Sequence, residues 1–179
     1  TTGANNTALG VSALYSNTTA SNNTAVGYQA GYSNTTGSNN TFIGRFAGYT
    51  SNYNGSAYNT CVGYNSGYGL TTGTNNTAVG YAAAYSNTTS SEITAIGYQA
   101  LYYTTGGANT ALGLWCLKIN TTGYYNTATG YVSLSNNTTG QVLSTYQNGP
   151  APYNTSPSCK DLINNPTNQL RSANFCNSS

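Results

Sequence analysis

The chain carries few side chains capable of covalent or acid–base chemistry. Its 179 residues include no histidine, and the only carboxyl side chains belong to Glu92 and Asp161. General acid–base catalysis, Ser–His–Asp triads and hard-metal sites all need such groups in close pairs or clusters. The Gly-rich segments also lack a Gly-Lys-Ser/Thr sequence, so phosphate binding is not indicated. We therefore expect a protein that is not an enzyme, with no catalytic residues, no metal site and no cofactor.

The four cysteines offer disulfide chemistry. Cys159 and Cys176 lie in a Pro-containing stretch outside the repeats, where a bridge would close a small loop, and we predict this disulfide. Cys61 and Cys116 are separated by about three sequence repeats and cannot approach the roughly 7 Å between Cα atoms that a disulfide requires. Two interpretations of this second pair remain open: buried thiols in slots used elsewhere by Ala or Ser, or thiols bonded to the tail or to another subunit.

Asn-x-Ser/Thr sequons recur along the chain, mostly in predicted turns. They would accept N-linked glycans if the chain followed a secretory route that glycosylates. An Asn/Thr-rich repeat also generates sequons by composition alone, and this alternative stays open. The best candidates are Asn17, Asn34 and Asn87, which share the context Ser-Asn-Thr-Thr. The further candidates are Asn5, Asn22, Asn39, Asn75, Asn120 and Asn137.

A tandem repeat places all these side chains. A glycine returns at intervals of 17, 17, 19, 17, 17, 16 and 17 residues, preceded by phrases such as NNTALG and NNTAVG. The repeat glycines are Gly10, Gly27, Gly44, Gly63, Gly80, Gly97, Gly113 and Gly130. A fixed short period of this kind predicts a solenoid, in which each coil buries its inner face against its neighbours. Counted from the repeat glycine, Thr stands at position −3, Ala usually at −2, an aliphatic residue at −1 and a small residue at +3.

The Thr-Ala-Val-Gly alternation predicts a short strand, with positions −3 and −1 facing inward and position −2 outward. The glycine is expected to supply a bend that a Cβ would block. Tyrosine occupies position +5 in six repeats and is expected to stack from coil to coil as an aromatic ladder. These residues are Tyr15, Tyr32, Tyr49, Tyr68, Tyr85 and Tyr102.

The predicted fold class is all-β, a β-solenoid or β-roll of about eight 17-residue coils with an irregular C-terminal tail. Each coil should contain about two short strands and two turns. The repeat domain covers residues 1–140. Residues 141–179 lose the period and contain all four prolines. We interpret them as a C-terminal cap or an arm that contacts another subunit.

Composition narrows the range of partners. Charged residues make up 3% of the chain and the net charge is +2, whereas ordinary soluble domains are about a quarter charged. This balance gives no electrostatic reason to bind nucleic acid or an anionic membrane. No apolar run is long enough for a membrane span. Low charge with regular coil edges favours association with copies of the same chain.

The phrase NNTAVGYQA resembles the repeats of trimeric autotransporter adhesin heads and of phage and viral tail fibres. The resemblance covers about residues 1–140. The adhesin heads usually have a shorter coil, with an apolar residue where this chain has Thr. The resemblance implies a left-handed β-roll in an extracellular, cell-surface or virion-surface fibre, and it transfers no catalytic residue.

Three functions are compatible with the sequence. The first is a structural subunit of an extracellular filament that assembles head to tail through its solenoid ends, because TTGANNTALG enters the first coil without a capping element. A fragment of a longer fibre is the competing interpretation of that feature. The alternative function is an adhesin head or viral tail-fibre segment that binds surface carbohydrate through its Tyr and Asn columns. A remote alternative is ice binding, which the predicted inward direction of the Thr column weakens.

Overall fold

The computed structural model describes residues 2–141 and 143–147, and within them it contains strands and turns but no helix. The predicted Cys159–Cys176 disulfide and most of the predicted tail, 141–179, lie outside the described residues. The strands are β1 (Thr7–Leu9), β2 (Thr24–Val26), β3 (Gly37–Ser38), β4 (Thr41–Ile43), β5 (Gly55–Ser56), β6 (Thr60–Val62), β7 (Thr77–Val79), β8 (Thr94–Ile96), β9 (Tyr103–Thr104), β10 (Thr110–Leu112), β11 (Ile119–Asn120), β12 (Thr127–Gly130) and β13 (Ser144–Gln147).

One strand from each coil stacks into a single parallel sheet of nine strands, in the order β1-β2-β4-β6-β7-β8-β10-β12-β13. The register follows the repeat, so that Thr7 pairs with Thr24 and Thr60 pairs with Thr77. The predicted β-solenoid of about eight coils is therefore confirmed. The expected second strand of each coil is present only in part, as the short parallel pairs β3–β5 and β9–β11.

The sheet also continues beyond the last repeat glycine. Strand β13 pairs with β12 in the same 17-residue register, with Ser144 beside Thr127 and Gln147 beside Gly130. The segment Ser144–Gln147 has no repeat glycine, which is why the period seemed to end at Gly140. Backbone pairing tolerates this change because a parallel ladder needs only the main chain.

The predicted orientation of the strand side chains was wrong. From the second coil onward the residue at −2 is buried, as are Ala25 and Ala78, whereas Thr24 and Val26 on either side are half exposed. The interior of a coil is so narrow that nearly every strand has Ala or Cys at −2, and the exception, Phe42, lies against Gly31 and Gly48. The bulkier Thr and Val therefore cover the outer face, a choice that period-2 alternation by itself cannot indicate.

The repeat glycine combines a bend with close stacking, as expected. Gly10 has φ of 137°, a conformation that L side chains rarely adopt. An added Cβ would lie 2.4 Å from the carbonyl oxygen of Gly27 in the next coil. The same clash recurs at Gly63, whose Cβ would lie 2.5 Å from the oxygen of Gly80. Any side chain at this position would push neighbouring coils apart.

A buried asparagine column at −4 runs through the inside of the solenoid, a feature the sequence analysis did not single out. The Oδ1 of Asn59 accepts a hydrogen bond from the N–H of Asn76 at 3.0 Å, and its Nδ2 donates to the Gly73 carbonyl at 2.9 Å. Other members are Asn6, Asn23, Asn40, Asn109 and Asn126. Each amide thereby joins its own coil to the next one and satisfies buried backbone groups.

Candidate binding surfaces

The six tyrosines at +5 form one continuous stack on the outside of the solenoid. Their ring centroids are 5.0–5.2 Å apart and neighbouring planes are inclined by only 4–12°. Because parallel rings cover one another's faces, the stack offers mainly edges and hydroxyl groups to a ligand. Tyr15, at the first coil, has a ring neighbour on one side only and is 69% exposed. The column thus strengthens contacts between coils more than it provides sugar-stacking faces.

A second aromatic row, which the sequence analysis missed, lies next to the repeat glycine. Tyr64, Tyr81 and Tyr98 at +1 stack at 5.2 and 4.9 Å. In the coils of Gly44 and Gly113 the aromatic residue stands at +2 instead, so that Phe46 and Trp115 complete the row. The full row is Tyr28, Phe46, Tyr64, Tyr81, Tyr98, Trp115 and Tyr131. The signal for it was the tyrosine that follows the repeat glycine in five coils.

Two cations lie against this aromatic row. The Arg45 guanidinium is 4.5 Å from the ring centroid of Phe46 and 5.4 Å from that of Tyr64. The Lys118 ammonium is 4.9 Å from the Trp115 ring centroid. Cation–π contact of this kind holds a positive charge against an apolar strip without a carboxylate partner.

The sequon asparagines separate into two structural classes. Asn34, Asn87, Asn120 and Asn137 are buried, and each Nδ2 donates to the backbone three residues ahead, as from Asn34 to Gly37 at 2.8 Å. A glycan on that nitrogen cannot coexist with this geometry, so the choice of Asn34 and Asn87 as best candidates needs correction. Asn17, in the same column, is half-buried and donates to Ala20.

The other sequon column, at −5, faces solvent. Asn5, Asn22 and Asn75 are exposed and Asn39 is half-buried. Asn5 and Asn22 join through a side-chain hydrogen bond of 3.2 Å. These four residues have φ between 58° and 63°, a conformation that Asn adopts more readily than most residues. Among the nine candidate asparagines, these are the ones whose surroundings an added glycan would disturb least.

Cys61 and Cys116 are free, fully buried thiols. Cys61 occupies the −2 slot otherwise used by Ala, and Cys116 occupies the +3 slot, where its Sγ donates to the Ala128 carbonyl at 3.0 Å. Burial raises the pKa of both thiols to about 12, because the thiolate would lose its hydration. The structure therefore supports the interpretation of buried thiols over that of intermolecular bonds.

A groove interrupts the outer surface near the middle of the second half of the solenoid. It is shallow and widely open to solvent, has a volume of about 570 Å³ and is lined by residues 89–92 and 105–108 and by Thr122, Tyr124 and Tyr125. Its walls carry the carboxylate of Glu92 and the rings of Tyr124 and Tyr125. The groove therefore combines an acid, two aromatic rings and several hydroxyl groups.

The first coil presents an uncovered sheet edge. Strand β1 has β2 on one side and no described strand on the other. All three residues of β1 are exposed. Next to this edge, Leu9, Val11 and Tyr15 are 67%, 68% and 69% exposed. Within the described residues, this edge therefore combines main-chain groups that no further strand pairs with apolar side chains.

Within the described ranges, no three His, Cys, Asp or Glu side chains lie close enough to hold a metal ion. The same residues contain no helix with the length and apolar character needed to cross a membrane. Comparisons of this chain with protein-family models, with curated proteins and with solved structures give no match.

Proposed function

We propose that this protein is a structural subunit of an extracellular filament, in which copies join end to end through the exposed edge of β1. The observation that carries the proposal is the in-register parallel stack of nine strands, which a coil of the same repeat on another copy could extend at β1. Natural sheets usually protect an edge with charged residues, proline, a bulge or a covering segment. Residues 2–15 contain no charge and no proline, and β1 is a regular three-residue strand.

The hydrogen-bonding groups on this edge are defined by the repeat. In the second coil, the N–H of Gly27 donates to the Leu9 carbonyl at 2.7 Å and that of Gln29 donates to the Val11 carbonyl at 2.9 Å. The equivalent donors of the first coil are the N–H groups of Gly10 and Ser12. They point along the solenoid axis towards a coil that is absent from the described residues. A coil of the same repeat would present the acceptors that match them.

The side chains at the edge of β1 also favour a coil of the same repeat as its partner. A coil stacked on the free side of β1 would place an aliphatic residue against Leu9 and a tyrosine ring against the open face of Tyr15, as Val26 and Tyr32 do on the other side. A charge content of 3% provides little repulsion to keep copies apart. The extracellular placement is supported by the resemblance of the repeats to surface fibres and by the exposed sequons.

Negative-stain electron microscopy and sedimentation of the purified chain test the proposal. We expect filaments longer than one solenoid and a sedimentation coefficient that rises with concentration. Leu9→Lys should give short, dispersed rods, because it places a charge at the proposed junction. Ile96→Lys is the matched control, since Ile96 occupies the same −1 position within the solenoid and is 41% exposed. Dispersed wild-type chains, or filaments that survive Leu9→Lys, would overturn the proposal.

The outward Thr column favours ice binding as a second candidate. Thr24, Thr41, Thr60, Thr77, Thr94 and Thr110 are half exposed and pair in register along the sheet. Hydroxyl groups repeated once per coil, about 4.8 Å apart, can hold a rank of bound waters. Because the strands place the Thr column outward and not inward as predicted, the main objection to ice binding no longer holds. Thermal hysteresis that is lost in Thr60→Lys, and kept in Thr72→Lys away from the sheet, would support it; no hysteresis in the wild type would exclude it.

A further inference from the structure

The turn that precedes each strand normally carries a ladder of polar side chains at positions −6 and −5. The Oγ of Ser21 accepts from the N–H of Ala4 at 3.0 Å, and the Oγ of Ser38 accepts from the N–H of Ser21 at 2.9 Å. Farther along, the Oγ of Ser91 accepts from the N–H of Thr74 at 3.0 Å. This ladder fills the outer corner of the solenoid in regular coils.

The ladder is interrupted by Ala57 and Tyr58 in the coil of Gly63, and it ends at the coil of Gly113. Positions −6 and −5 are there Gly107 and Ala108, and this coil is one residue shorter than the standard repeat. The backbone stack continues through the gap, because Ala108 N–H donates to the Ser91 carbonyl at 2.9 Å and Tyr125 N–H to the Gly107 carbonyl at 3.4 Å. A notch one coil wide therefore opens in the corner, between residues 91–92 and residues 124–125.

The two walls of the notch differ in chemistry. On one side is Glu92, an exposed residue and the only carboxylate side chain among the described residues. On the other side are Tyr124 and Tyr125, with ring centroids 5.3 Å apart in an edge-to-face arrangement, and Tyr125 is 62% exposed. The walls are two coils apart, or about 10 Å at the usual strand spacing, which admits one flat six-membered ring.

The floor and flanks supply neutral polar groups. Ser91, Thr105 and Thr122 line the groove with hydroxyls. The buried hydroxyl of Ser90, which also lines the groove, has no hydrogen-bond partner within the described structure. Neutral donors and acceptors thus outnumber the single charge.

We propose that this groove binds a pyranose unit of a neutral saccharide. The apolar face of the sugar ring would pack on Tyr125, while its hydroxyl groups would donate to the Glu92 carboxylate and exchange hydrogen bonds with Thr105 and Thr122. Saccharides combine an apolar ring face with several hydroxyls, and the groove matches both. A small organic cation would use the carboxylate and the rings but would leave the hydroxyl-bearing flanks without partners. Saccharide binding at this groove would be a function in addition to the filament role.

An array of immobilised oligosaccharides, followed by calorimetric titration with the strongest hit, tests the proposal on the full chain. Tyr125→Ala and Glu92→Gln should each weaken binding at least about tenfold, the loss of one good polar or stacking contact. Tyr58→Ala is the matched control, because Tyr58 occupies the same −5 position, is 58% exposed and lies outside the groove. Its affinity should equal that of the wild type.

Ala108→Asn is a variant in which folding stability and saccharide binding should change in different directions. Ala108 has φ of 53°, and Asn is the commoner residue at −5 and tolerates this conformation better than Ala. The substitution should fill the notch and abolish binding while Tm stays the same or rises. Three outcomes would overturn the proposal: no oligosaccharide hit, equal losses in Tyr58→Ala and Tyr125→Ala, or tetramethylammonium binding as tightly as the best saccharide.

Discussion

The ring of Phe42 occupies the space that a side chain at residue 48 would need, since a Cβ on Gly48 would lie 2.2 Å from Cδ1 of Phe42. Gly31, one coil earlier, is equally constrained, with its Cβ position 2.7 Å from Cδ2 of the same ring. Four of the six coils with Ala at −2 carry Leu at +4 instead, as in Ala95 and Leu101. Side-chain size at these two positions is therefore balanced within a coil of nearly constant cross-section.

This relationship predicts a compensating pair of substitutions. Phe42→Ala should lower the free energy of unfolding by about 3–5 kcal/mol, because it empties the space around two glycines. Gly48→Leu alone should also destabilise, through overlap with the ring. Leu is compatible with the backbone there, since Leu101 adopts φ of 48° at the equivalent position and Gly48 has φ of 58°.

The double variant Phe42→Ala/Gly48→Leu reproduces the Ala–Leu pairing of other coils. It should be more stable than the sum of the two single losses implies, as a double-mutant cycle from urea denaturation would measure. Simple additivity would contradict the packing relationship.

The asparagine column predicts a large loss of stability when a single one of its side chains is truncated. Asn59→Ala should lower the free energy of unfolding by about 2–4 kcal/mol, because the Asn76 N–H and the Gly73 carbonyl would lose buried partners. Asn54→Ala is the control, since Asn54 is exposed in a turn, and its cost should stay within about 0.5 kcal/mol. Chemical denaturation of both variants provides the comparison; equal midpoints would show that the column contributes little.

The buried thiols predict a loss of stability in alkali. Below about pH 9 the Cys61 and Cys116 thiols are protonated in both the folded and the unfolded chain. Between about pH 9 and 12 only the unfolded chain loses these protons, so stability should fall by up to about 1.4 kcal/mol per pH unit for each thiol. The burial of Tyr68 and Tyr102 raises their pKa values and acts in the same direction.

Denaturation midpoints measured from pH 8 to 11 test this dependence. The double variant Cys61→Ala/Cys116→Ala should show a shallower decline than the wild type. The same two thiols should resist DTNB at pH 8 in a Cys159→Ser/Cys176→Ser background and react after unfolding in guanidinium. Rapid labelling of the folded chain would contradict their burial.

The two sequon classes predict selective glycosylation. When the chain is expressed through a secretory pathway that adds N-linked glycans, peptide mapping of the folded product should find them at Asn5, Asn22 or Asn75. Asn34 and Asn87 should remain unmodified, because their side-chain amides are buried and hydrogen bonded. Asn34→Gln should lower Tm without changing glycan mass, whereas Asn22→Gln should remove glycan mass. Glycans at Asn34 in folded protein would refute the assignment.

Local features of the sequence were sufficient to predict the architecture. The spacing of Gly10, Gly27 and the later repeat glycines predicted the number of coils and their parallel stacking, because a solenoid repeats the same contacts at each turn. The Tyr15–Tyr32 column followed from the same period. The small residues at +3, such as Ala30 and Cys116, were also expected inside the coil and are buried.

The groove could not be predicted from the sequence alone. Gly107 and Ala108 depart from the repeat in a way that the sequence shows, but their consequence depends on Glu92 and Tyr125 lying on either side of them in space. The second aromatic row was not predicted from the sequence for a similar reason. Phe46 and Trp115 stand at +2 rather than +1, and only the stacked coils show that their rings continue the row of Tyr64 and Tyr98.

The sequence by itself determined the period, the strand position and the in-register stacking, because these depend on spacing along one chain. Only the tertiary structure decided which face of each strand is inside. Thr24 and Val26 alternate with Ala25 equally well for either orientation, and the outcome depends on the width of the closed coil. That width admits mostly Ala at −2 and excludes two rows of branched side chains, so the interior is built from small residues, asparagine amides and large residues at +4 such as Leu101, while Thr, Val and Tyr form the surface.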